Sequence, residues 1–230
     1  MKYKIYIGWD RREAKAYDVA RSSILKRTDN TGIHIIPLKL KNLSDRGILT
    51  RPVEVRDGKM WCPISEAPMA TEFAISRFAV PLLQQKGWAL FVDCDIVCLG
   101  DIRELFSLAD PKYAVMVVKH EHVPTETTKM DGQQQTTYPR KNWSSVVLWN
   151  CAHPSNQAVK DVINVWPGRD LHAFKWLKDE EIGSLPQEWN WLVGVLPENP
   201  NAKLLHFTLG GPWIQDWKGG PCDDVWRSES

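Results

Sequence analysis

The sequence predicts an α/β fold in which a mixed central sheet is flanked by helices. Alternating polar and apolar residues over 4–7 are typical of a strand, and an amphipathic helix pattern follows over 13–26. A second apolar run, over 90–92, ends on Asp93 and Asp95, as expected for a buried parallel strand. Strands that alternate with helices form a sheet with both faces covered, and 230 residues are enough for one domain.

Composition and charge exclude several classes of protein. Lys and Arg total 29 against 28 Asp and Glu, so the net charge of +1 gives no strong attraction to nucleic acid. Five cysteines, an odd number that includes Cys94 and Cys98 near the predicted core strand, favour reduced thiols over a disulfide framework. No apolar run reaches the length of a membrane span, and the first residues enter a strand directly. We expect a cytoplasmic protein without a membrane span.

The first strand and helix are typical of the start of a nucleotide-binding half. Ile7 ends the strand, Gly8 and Asp10 form the turn, and Tyr17 lies on the helix. An ordinary strand-to-helix turn has the same residue types. The chain has no Gly-X-Gly-X-X-Gly or Walker loop, so we expect a metal ion and side chains to hold phosphate groups in place of backbone amides.

The segment before the acidic strand contains one charged residue in an apolar setting. A second strand is predicted over 34–40, a long surface loop over 44–63, and a buried helix over 69–83 whose end is kinked or shortened by Pro81. Arg77 lies inside this apolar helix. A buried guanidinium requires an anionic partner, and either a carboxylate of the protein or a diphosphate would supply one.

Asp93 and Asp95 are the most informative pair in the sequence. Side chains at i and i+2 leave a strand on the same face, so the two carboxylates are expected to converge. Paired carboxylate oxygens suit Mg²⁺ or Mn²⁺, and ligands bind at the carboxyl edge of open α/β sheets. The alternative is that both acids only solvate the end of the strand, which leaves the cost of bringing charge to a buried strand uncompensated.

The rest of the chain continues the alternation of elements. Predicted helices cover 102–108 and 156–165, and predicted strands cover 113–118, 143–150 and a short stretch from 204.

Residues 119–142 are polar, with glycine and proline, which favours a flexible loop that closes over a substrate. The spacing of His120 and His122 in this loop fits a metal site, but solvated loop histidines are the favoured interpretation.

The acidic strand also carries a family resemblance. Phe91-Val-Asp-Cys-Asp-Ile-Val, followed by Asp101-Ile-Arg-Glu-Leu-Phe106, resembles the Asp-X-Asp block of GT-A fold glycosyltransferases, especially the glycogenin-like (family 8) retaining enzymes. The residues around Arg77 resemble the family's preceding helix, whose arginine helps hold the donor. The resemblance implies one GT-A domain, with a Rossmann-like nucleotide-sugar-binding half over 1–118 and an acceptor-binding half over 119–230. It implies a donor site formed by Ile7, Gly8, Asp10, Tyr17, Arg77, Asp93 and Asp95. The first four of these residues are the candidates for binding the nucleotide base.

Two later segments resemble the same family in part. Residues 143–150 match its Asn-Ser-Gly-Val-Met-Leu-Ile-Asn segment, with Ser145 in place of the glycine. Residues 178–190 resemble its Asp-Gln…Leu-Pro…Trp-Asn region, which implies that Asp179 and Glu180 lie near the donor sugar as catalytic acids. Consecutive acids are also typical of an exposed helix start.

The last recognisable segment, residues 204–213, resembles the family's His-Phe-X-Gly-X-X-Lys-Pro-Trp motif. By this resemblance His206 is a third metal ligand beside Asp93 and Asp95. The chain is one residue shorter here and lacks the lysine that contacts the diphosphate in the family, so Lys218 is the candidate substitute.

These features predict an enzyme that transfers a sugar from a nucleotide-diphosphate donor, a UDP-sugar by the resemblance. The acceptor would be a saccharide, a glycoconjugate or another hydroxyl compound, and the cofactor Mn²⁺ or Mg²⁺. One alternative is a haloacid-dehalogenase-like phosphohydrolase with Asp93 as nucleophile, although in that family the acidic strand normally opens the chain. The other is a non-catalytic carbohydrate-binding module that stacks sugars on Trp189, Trp191, Trp213 and Trp217, which leaves the acid pair unexplained.

Overall fold

The structure is a computed structural model that describes residues 2–29, 31–120, 140 and 142–230. The strands in these residues are β1 (Tyr3–Gly8), β2 (Ile33–Leu38), β3 (Glu54–Arg56), β4 (Lys59–Cys62), β5 (Ala67–Pro68), β6 (Trp88–Val92), β7 (Ile96–Cys98), β8 (Val115–Val117), β9 (Val146–Asn150), β10 (Ile182–Ser184), β11 (Trp191–Leu192) and β12 (Leu204–His206). The helices are α1 (Ala14–Lys26), α2 (Leu40–Asp45), α3 (Val80–Gln84), α4 (Ile102–Ser107), α5 (Val159–Val162), α6 (Gly168–His172) and α7 (Asp223–Glu229). Short 3₁₀ helices cover Arg11–Glu13, Ser76–Ala79, Trp143–Ser145, Pro154–Ala158, Asp179–Glu181 and Gln187–Asn190.

A six-stranded mixed sheet forms the centre of the fold. Its strand order is β10-β8-β9-β6-β1-β2, so β6 lies in the interior between β9 and β1. Strand β1 runs parallel to both β2 and β6, and β9 runs antiparallel to β6 and β8. Its interior strands are mainly apolar, and Ile5, Ile7, Leu90, Phe91 and Leu148 are fully buried. The predicted α/β fold with a mixed central sheet is confirmed.

A second, three-stranded sheet joins two distant parts of the chain. Its order is β11-β12-β7, and β7 pairs antiparallel with β12 so that Ile96 lies opposite His206. The amide of Phe207 donates a hydrogen bond to the carbonyl of Asp95 at 2.9 Å, which continues the pairing by one residue. This register brings His206 beside the acid pair although the two are more than a hundred positions apart.

The prediction of a long surface loop over 44–63 is wrong in its second half. Strands β3 and β4 form an antiparallel hairpin there, and β5 extends it to a small third sheet. The turn consists of Asp57 and Gly58, whose φ angles are 50° and 74°. Asp-Gly with both residues at positive φ is the most favourable two-residue hairpin turn, because its twist matches that of the strands. The dipeptide was the signal for this hairpin.

The predicted buried helix over 69–83 is also only partly correct. The segment is helical from Ser76 onward, first as a 3₁₀ helix and then as α3. Pro81 lies in the first turn of α3, where no backbone N–H is needed, and it therefore starts this helix instead of ending it. The apolar residues before it are buried as expected, Phe73 at 2% exposure among them, but in turns.

The acid pair itself does not lie within a strand. Strand β6 ends at Val92 and β7 begins at Ile96, so Asp93 and Asp95 lie in the bend between them. The expected alternation of side chains along one strand is therefore not what brings the two carboxylates together. The bend brings them together. Before it the chain pairs with β9 in the first sheet, and after it the chain pairs with β12 in the second sheet.

The remaining predicted elements are confirmed with shifted ends: β1, α1, β2, α4, β8, β9 and β12 all lie within or close to their predicted ranges. Helices α2, α6 and α7 and strands β7, β10 and β11 were not predicted as separate elements, because each is short and carries no clear periodicity. Most of the predicted loop over 119–142 lies outside the described residues, and so does His122. In the part of the chain that the structure describes, no helix has the length and apolar character needed to span a membrane.

Candidate metal centre

Asp93, Asp95 and His206 form a compact cluster at the carboxyl end of β6. Each residue offers one ligand atom, and these three atoms all lie within 4.8 Å of one another. His206 Nε2 is 3.3 Å from Asp95 Oδ1 and 4.0 Å from Asp93 Oδ2. The side chains are largely enclosed, with exposed fractions of 13%, 19% and 3% in chain order. The residue pattern predicted the acid pair, the family resemblance added His206, and the structure brings the three side chains together.

Backbone hydrogen bonds fix the two acids from opposite sides. The amide of Asp93 donates to the carbonyl of Ser145 at 2.9 Å, which ties the end of β6 to the start of β9. The carbonyl of Asp95 accepts from Phe207, which ties the acid to β12. Both ligand positions are therefore defined by sheet pairing and not by a free loop, and this favours a rigid site.

Arg77 lies directly against the cluster. Its Nη1 is 2.8 Å from Asp93 Oδ1 and donates to the carbonyl of Ser144 at 2.9 Å, and its guanidinium packs near the rings of Phe73 and Phe91. The sequence left open whether a carboxylate or a diphosphate balances this charge. In the structure the carboxylate of Asp93 lies against it, and the ion pair offsets one of the two acidic charges of the cluster. A contact of Arg77 with the donor stays a prediction.

A third acid, Glu13, approaches the cluster from the short helix before α1, and the sequence analysis did not single it out. Burial, together with the nearby charge of Asp95, raises the pKa of Glu13 to about 7. Burial also raises the pKa of Asp93 to about 6, although Arg77 opposes this shift. Carboxyl groups that share a poorly solvated space retain protons near neutral pH unless a cation is present to balance their charge.

His206 is the other titrating ligand. Burial lowers the pKa of His206, but the carboxylates of Asp95 and Asp93 raise it, and the net shift is upward. The donor set of two carboxylate oxygens and one imidazole nitrogen is one that Mn²⁺ accepts well and Mg²⁺ less readily. The geometry and the excess negative charge of the site therefore fit a divalent cation.

The candidate base-binding residues have clear structural roles in the fold. Asp10 is fully buried and accepts hydrogen bonds from the amides of Arg12 and Glu72, at 2.8 and 3.0 Å, and it forms an ion pair with Arg12. Burial opposes charge on Asp10, but these partners hold its pKa below the usual value. Ile7 and Tyr17 are buried in the core. A contact of these residues with a nucleotide remains a prediction.

Gly8 ends β1 beneath the ring of Phe73. A Cβ atom built at Gly8 would lie 2.5 Å from two ring carbons of Phe73, far inside normal contact. The glycine is thus required by packing between β1 and the segment that leads to Arg77. The role of Gly8 beside a nucleotide stays a prediction.

The candidate catalytic acids and Lys218 lie on the surface. Asp179 is 87% exposed and pairs with Arg140, and Glu180 beside it is also exposed. They precede β10, where the carbonyl of Glu181 accepts from the amide of Ala114 just before β8 begins. Lys218 is exposed in the turn region after β12. The catalytic roles of the acids and the diphosphate contact of Lys218 stay predictions.

His120 and Asn190 are two further polar residues that the fold buries near the centre. His120 is 7% exposed, and burial together with His206 lowers its pKa to about 4, so it is neutral at physiological pH. Asn190 is fully buried, and its side chain contacts His206. Neither contact is visible in the sequence, because each depends on how segments far apart in the chain pack together.

Comparison with solved structures defines the class of the fold. The glycosyltransferase GlyE of Streptococcus pneumoniae TIGR4 matches with a TM-score of 0.59 at 16% identity, over 99% of this chain and 60% of the GlyE chain. The galactosyltransferase LgtC, solved with donor and acceptor sugar analogs, matches with a TM-score of 0.55 at 13% identity, over 98% of this chain and 94% of LgtC. Mouse xyloside xylosyltransferase 1 matches with a TM-score of 0.55 at 13% identity, over 90% of this chain and 97% of its own. The chain has the mixed α/β fold of GT-A-like glycosyltransferases.

Comparison of sequences defines the family. No protein-family model matches the chain. Protein CDI of Arabidopsis thaliana is 44% identical over 234 residues, which cover 99% of this chain and 85% of that protein. The chain therefore belongs to the Protein CDI family.

Proposed function

We propose that this protein is a metal-dependent glycosyltransferase that moves a sugar from a nucleotide-diphosphate donor, a UDP-sugar, to a hydroxyl group of a saccharide or glycoconjugate. The observation that carries the proposal is the Asp93, Asp95 and His206 cluster at the carboxyl end of β6 in a GT-A-like fold. Ligands of open α/β sheets bind at this edge. The cluster is enclosed and acidic, so a bound cation would balance its charge. A strand end with only a structural role would not bring such charge together.

In this proposal Asp93, Asp95 and His206 hold Mn²⁺ or Mg²⁺. A divalent cation bound there supplies positive charge to the diphosphate leaving group as the glycosidic bond breaks. Arg77 favours the ionised form of Asp93 and orients its carboxylate through their 2.8 Å contact. The enclosed walls keep water away from the charged groups, which strengthens each electrostatic contact.

The donor's other parts would be held by residues whose role rests on the family resemblance. The nucleotide would lie against the end of β1, at Ile7, Gly8 and Asp10, with Tyr17 below, in the half formed by residues 1–118. Lys218 would contact the diphosphate. Asp179 and Glu180 would lie near the sugar, and residues 119–230 would bind the acceptor. Retention of configuration is likewise implied only by the resemblance.

A cytoplasmic location is part of the proposal. Cys62, Cys94, Cys98, Cys151 and Cys222 are all free, and four of them are buried. Free cysteines without disulfides are usual in a reducing compartment.

A donor screen tests the proposed activity. The protein is incubated with UDP-, GDP-, ADP- and CMP-linked sugars, in Mn²⁺, in Mg²⁺ and in EDTA, and the released nucleotide is measured without acceptor and with a panel of oligosaccharides. Release from a UDP-sugar that requires the metal supports the proposal. Release of inorganic phosphate from simple phosphate esters, with a covalent aspartyl-phosphate on Asp93, would instead identify a phosphohydrolase. Sugar binding with no turnover of any donor would identify a binding module.

Two substitutions test the proposed catalytic acids separately. Asp179→Asn and Glu180→Gln each keep the size of an exposed side chain, so the fold is expected to be unchanged. If the substituted residue is a catalytic acid, its loss should lower turnover by about ten-fold or more while the affinity for donor stays the same. Full turnover in both variants would remove these two residues from the mechanism and leave the metal centre as proposed.

A further inference from the structure

The second ring nitrogen of His206 is held by a buried chain of hydrogen bonds. His206 Nδ1 lies 2.9 Å from Asn190 Oδ1, and the two side chains are 2% and 0% exposed as whole residues. Asn190 Nδ2 lies 2.9 Å from Ser145 Oγ, and Ser145 Oγ lies 2.6 Å from the carbonyl of Asn142. Ser145 is itself 3% exposed.

The directions of these hydrogen bonds follow from the one group that only accepts. The carbonyl of Asn142 has no hydrogen to give, so the single hydroxyl hydrogen of Ser145 points toward it. Ser145 Oγ then presents a lone pair to Asn190, so the NH₂ group of Asn190 must be the donor. A second, longer contact of that NH₂ group, 3.4 Å to the carbonyl of Asn142, agrees with this orientation.

The orientation of the amide determines which nitrogen of His206 carries the hydrogen. With its NH₂ group toward Ser145, Asn190 presents its oxygen to His206, so Nδ1 must be the donor. In the neutral ring, Nε2 then has the lone pair, and it is Nε2 that lies 3.3 Å from Asp95 Oδ1. A metal ligand needs this tautomer, and partners outside the coordination shell usually select it.

We propose that Ser145 and Asn190 are positioning residues that hold His206 in its metal-binding tautomer and ring orientation. Ser145 contacts two ligand positions. Its hydroxyl acts on His206 through Asn190, and its carbonyl accepts a hydrogen bond from the amide of Asp93. The inference rests on the proposed metal centre and extends it.

Direct metal binding tests the inference without any assay of activity. The probe is Mn²⁺ alone, titrated into the purified protein at pH 8 and followed by the electron paramagnetic resonance signal of free Mn²⁺. Asn190→Leu keeps the approximate volume and removes the acceptor, so the dissociation constant for Mn²⁺ should rise by about 10- to 100-fold. Asn190→Asp restores an acceptor for Nδ1–H and should return the constant to within about three-fold of the wild-type value. Ser145→Ala should weaken binding by a smaller factor.

Asn156 supplies a matched control. It is another buried asparagine, at 1% exposure. Its NH₂ group donates to the carbonyls of Ala114 and Asn150, and Asn150 is at the end of β9 away from Ser145. Asn156→Leu should lower the melting temperature about as much as Asn190→Leu and leave the affinity for Mn²⁺ unchanged. An equal loss of Mn²⁺ affinity in both variants would overturn the inference, because general loosening of the fold would then explain it.

A spectroscopic readout separates the inference from the proposed function. In ¹⁵N-histidine spectra of the metal-free protein at pH 8, the His206 signal, assigned with His206→Gln, should show hydrogen on Nδ1 in the whole wild-type population and in only part of the Asn190→Leu population. If the wild type binds no Mn²⁺, the metal centre and with it the proposed function fail. If the wild type binds Mn²⁺ and Asn190→Leu binds it equally well, only the positioning role is refuted.

Discussion

Arg77 and Asp93 form an enclosed ion pair at the edge of the candidate metal centre. Nη1 of Arg77 lies 2.8 Å from Oδ1 of Asp93, and the side chains are 8% and 13% exposed. The same guanidinium donates to the carbonyl of Ser144, next to the residue whose carbonyl holds the amide of Asp93. One cation thus links the helical segment before α3, the end of β6 and the start of β9.

Removal of Arg77 should strongly destabilise the metal-free protein. Arg77→Leu leaves a buried carboxylate without its partner, and breaking a buried ion pair in this way costs about 3–5 kcal/mol. The double variant Arg77→Leu/Asp93→Asn removes both charges and should recover at least half of the loss in a urea unfolding experiment in EDTA. If the double variant is as unstable as the single one, the ion pair is not the source of the effect.

The pH dependence of stability should report the raised pKa of Glu13. Its pKa in the folded protein is about 7 against an ordinary 4.5, so the folded state keeps a proton that the unfolded chain has released between these values. The stabilisation from this proton is complete below pH 4.5 and is lost as the pH rises through 7. We therefore expect the unfolding free energy of the wild type in EDTA to fall, relative to that of Glu13→Gln, between pH 4.5 and 7.5.

Glu229 provides a control of opposite sign for the pH experiment. Hydrogen bonds and ion pairs with Arg27 and Lys26 lower the pKa of Glu229. Its stabilisation is present above the ordinary value and is lost as the pH falls through the lowered pKa. The unfolding free energy of the wild type should therefore rise relative to that of Glu229→Gln as the pH rises from 3 to 6. The same trend in both variants would contradict the assignment for Glu13.

Gly8→Ala tests the packing of β1 against the segment before Arg77. The added methyl group would lie 2.5 Å from ring carbons of Phe73, so the ring must move, and overpacking of this kind costs about 1–3 kcal/mol. The melting temperature should fall without any nucleotide present. Gly8→Ala in a Phe73→Leu background should cost clearly less than in the wild type. An equal cost in both backgrounds would mean that Phe73 is not the obstacle.

The sequence predicted the fold class and the acid pair Asp93 and Asp95 because both depend on local signals. An apolar run that ends on two acids indicates a buried strand at a ligand edge, and this holds although the acids lie in the bend after β6. The pairing of Ile96 with His206 is a long-range register, and the family resemblance, not the residue pattern, pointed to it.

The missed features have two physical causes. The hairpin at Asp57 and Gly58 carried a clear turn signal in a segment whose other residues suggested a loop. The contacts of Glu13 and of Asn190 with the cluster depend on tertiary packing between segments far apart in the chain, and no local pattern encodes them. Polar residues that support a site through others are the hardest to recognise from one sequence.

The most direct test of the proposed activity is the metal-dependent release of nucleotide from a UDP-sugar by the wild type and by Asp95→Asn. Asp101→Asn is the matched control, since Asp101 caps α4 and pairs with Arg103 outside the cluster. The wild type and the control should turn over donor in Mn²⁺ and stop in EDTA. Asp95→Asn should lose at least 100-fold in turnover with an unchanged or higher melting temperature, because loss of one acid relieves repulsion in the cluster. Turnover that persists undiminished in EDTA, or in Asp95→Asn, would contradict a metal-dependent glycosyltransferase.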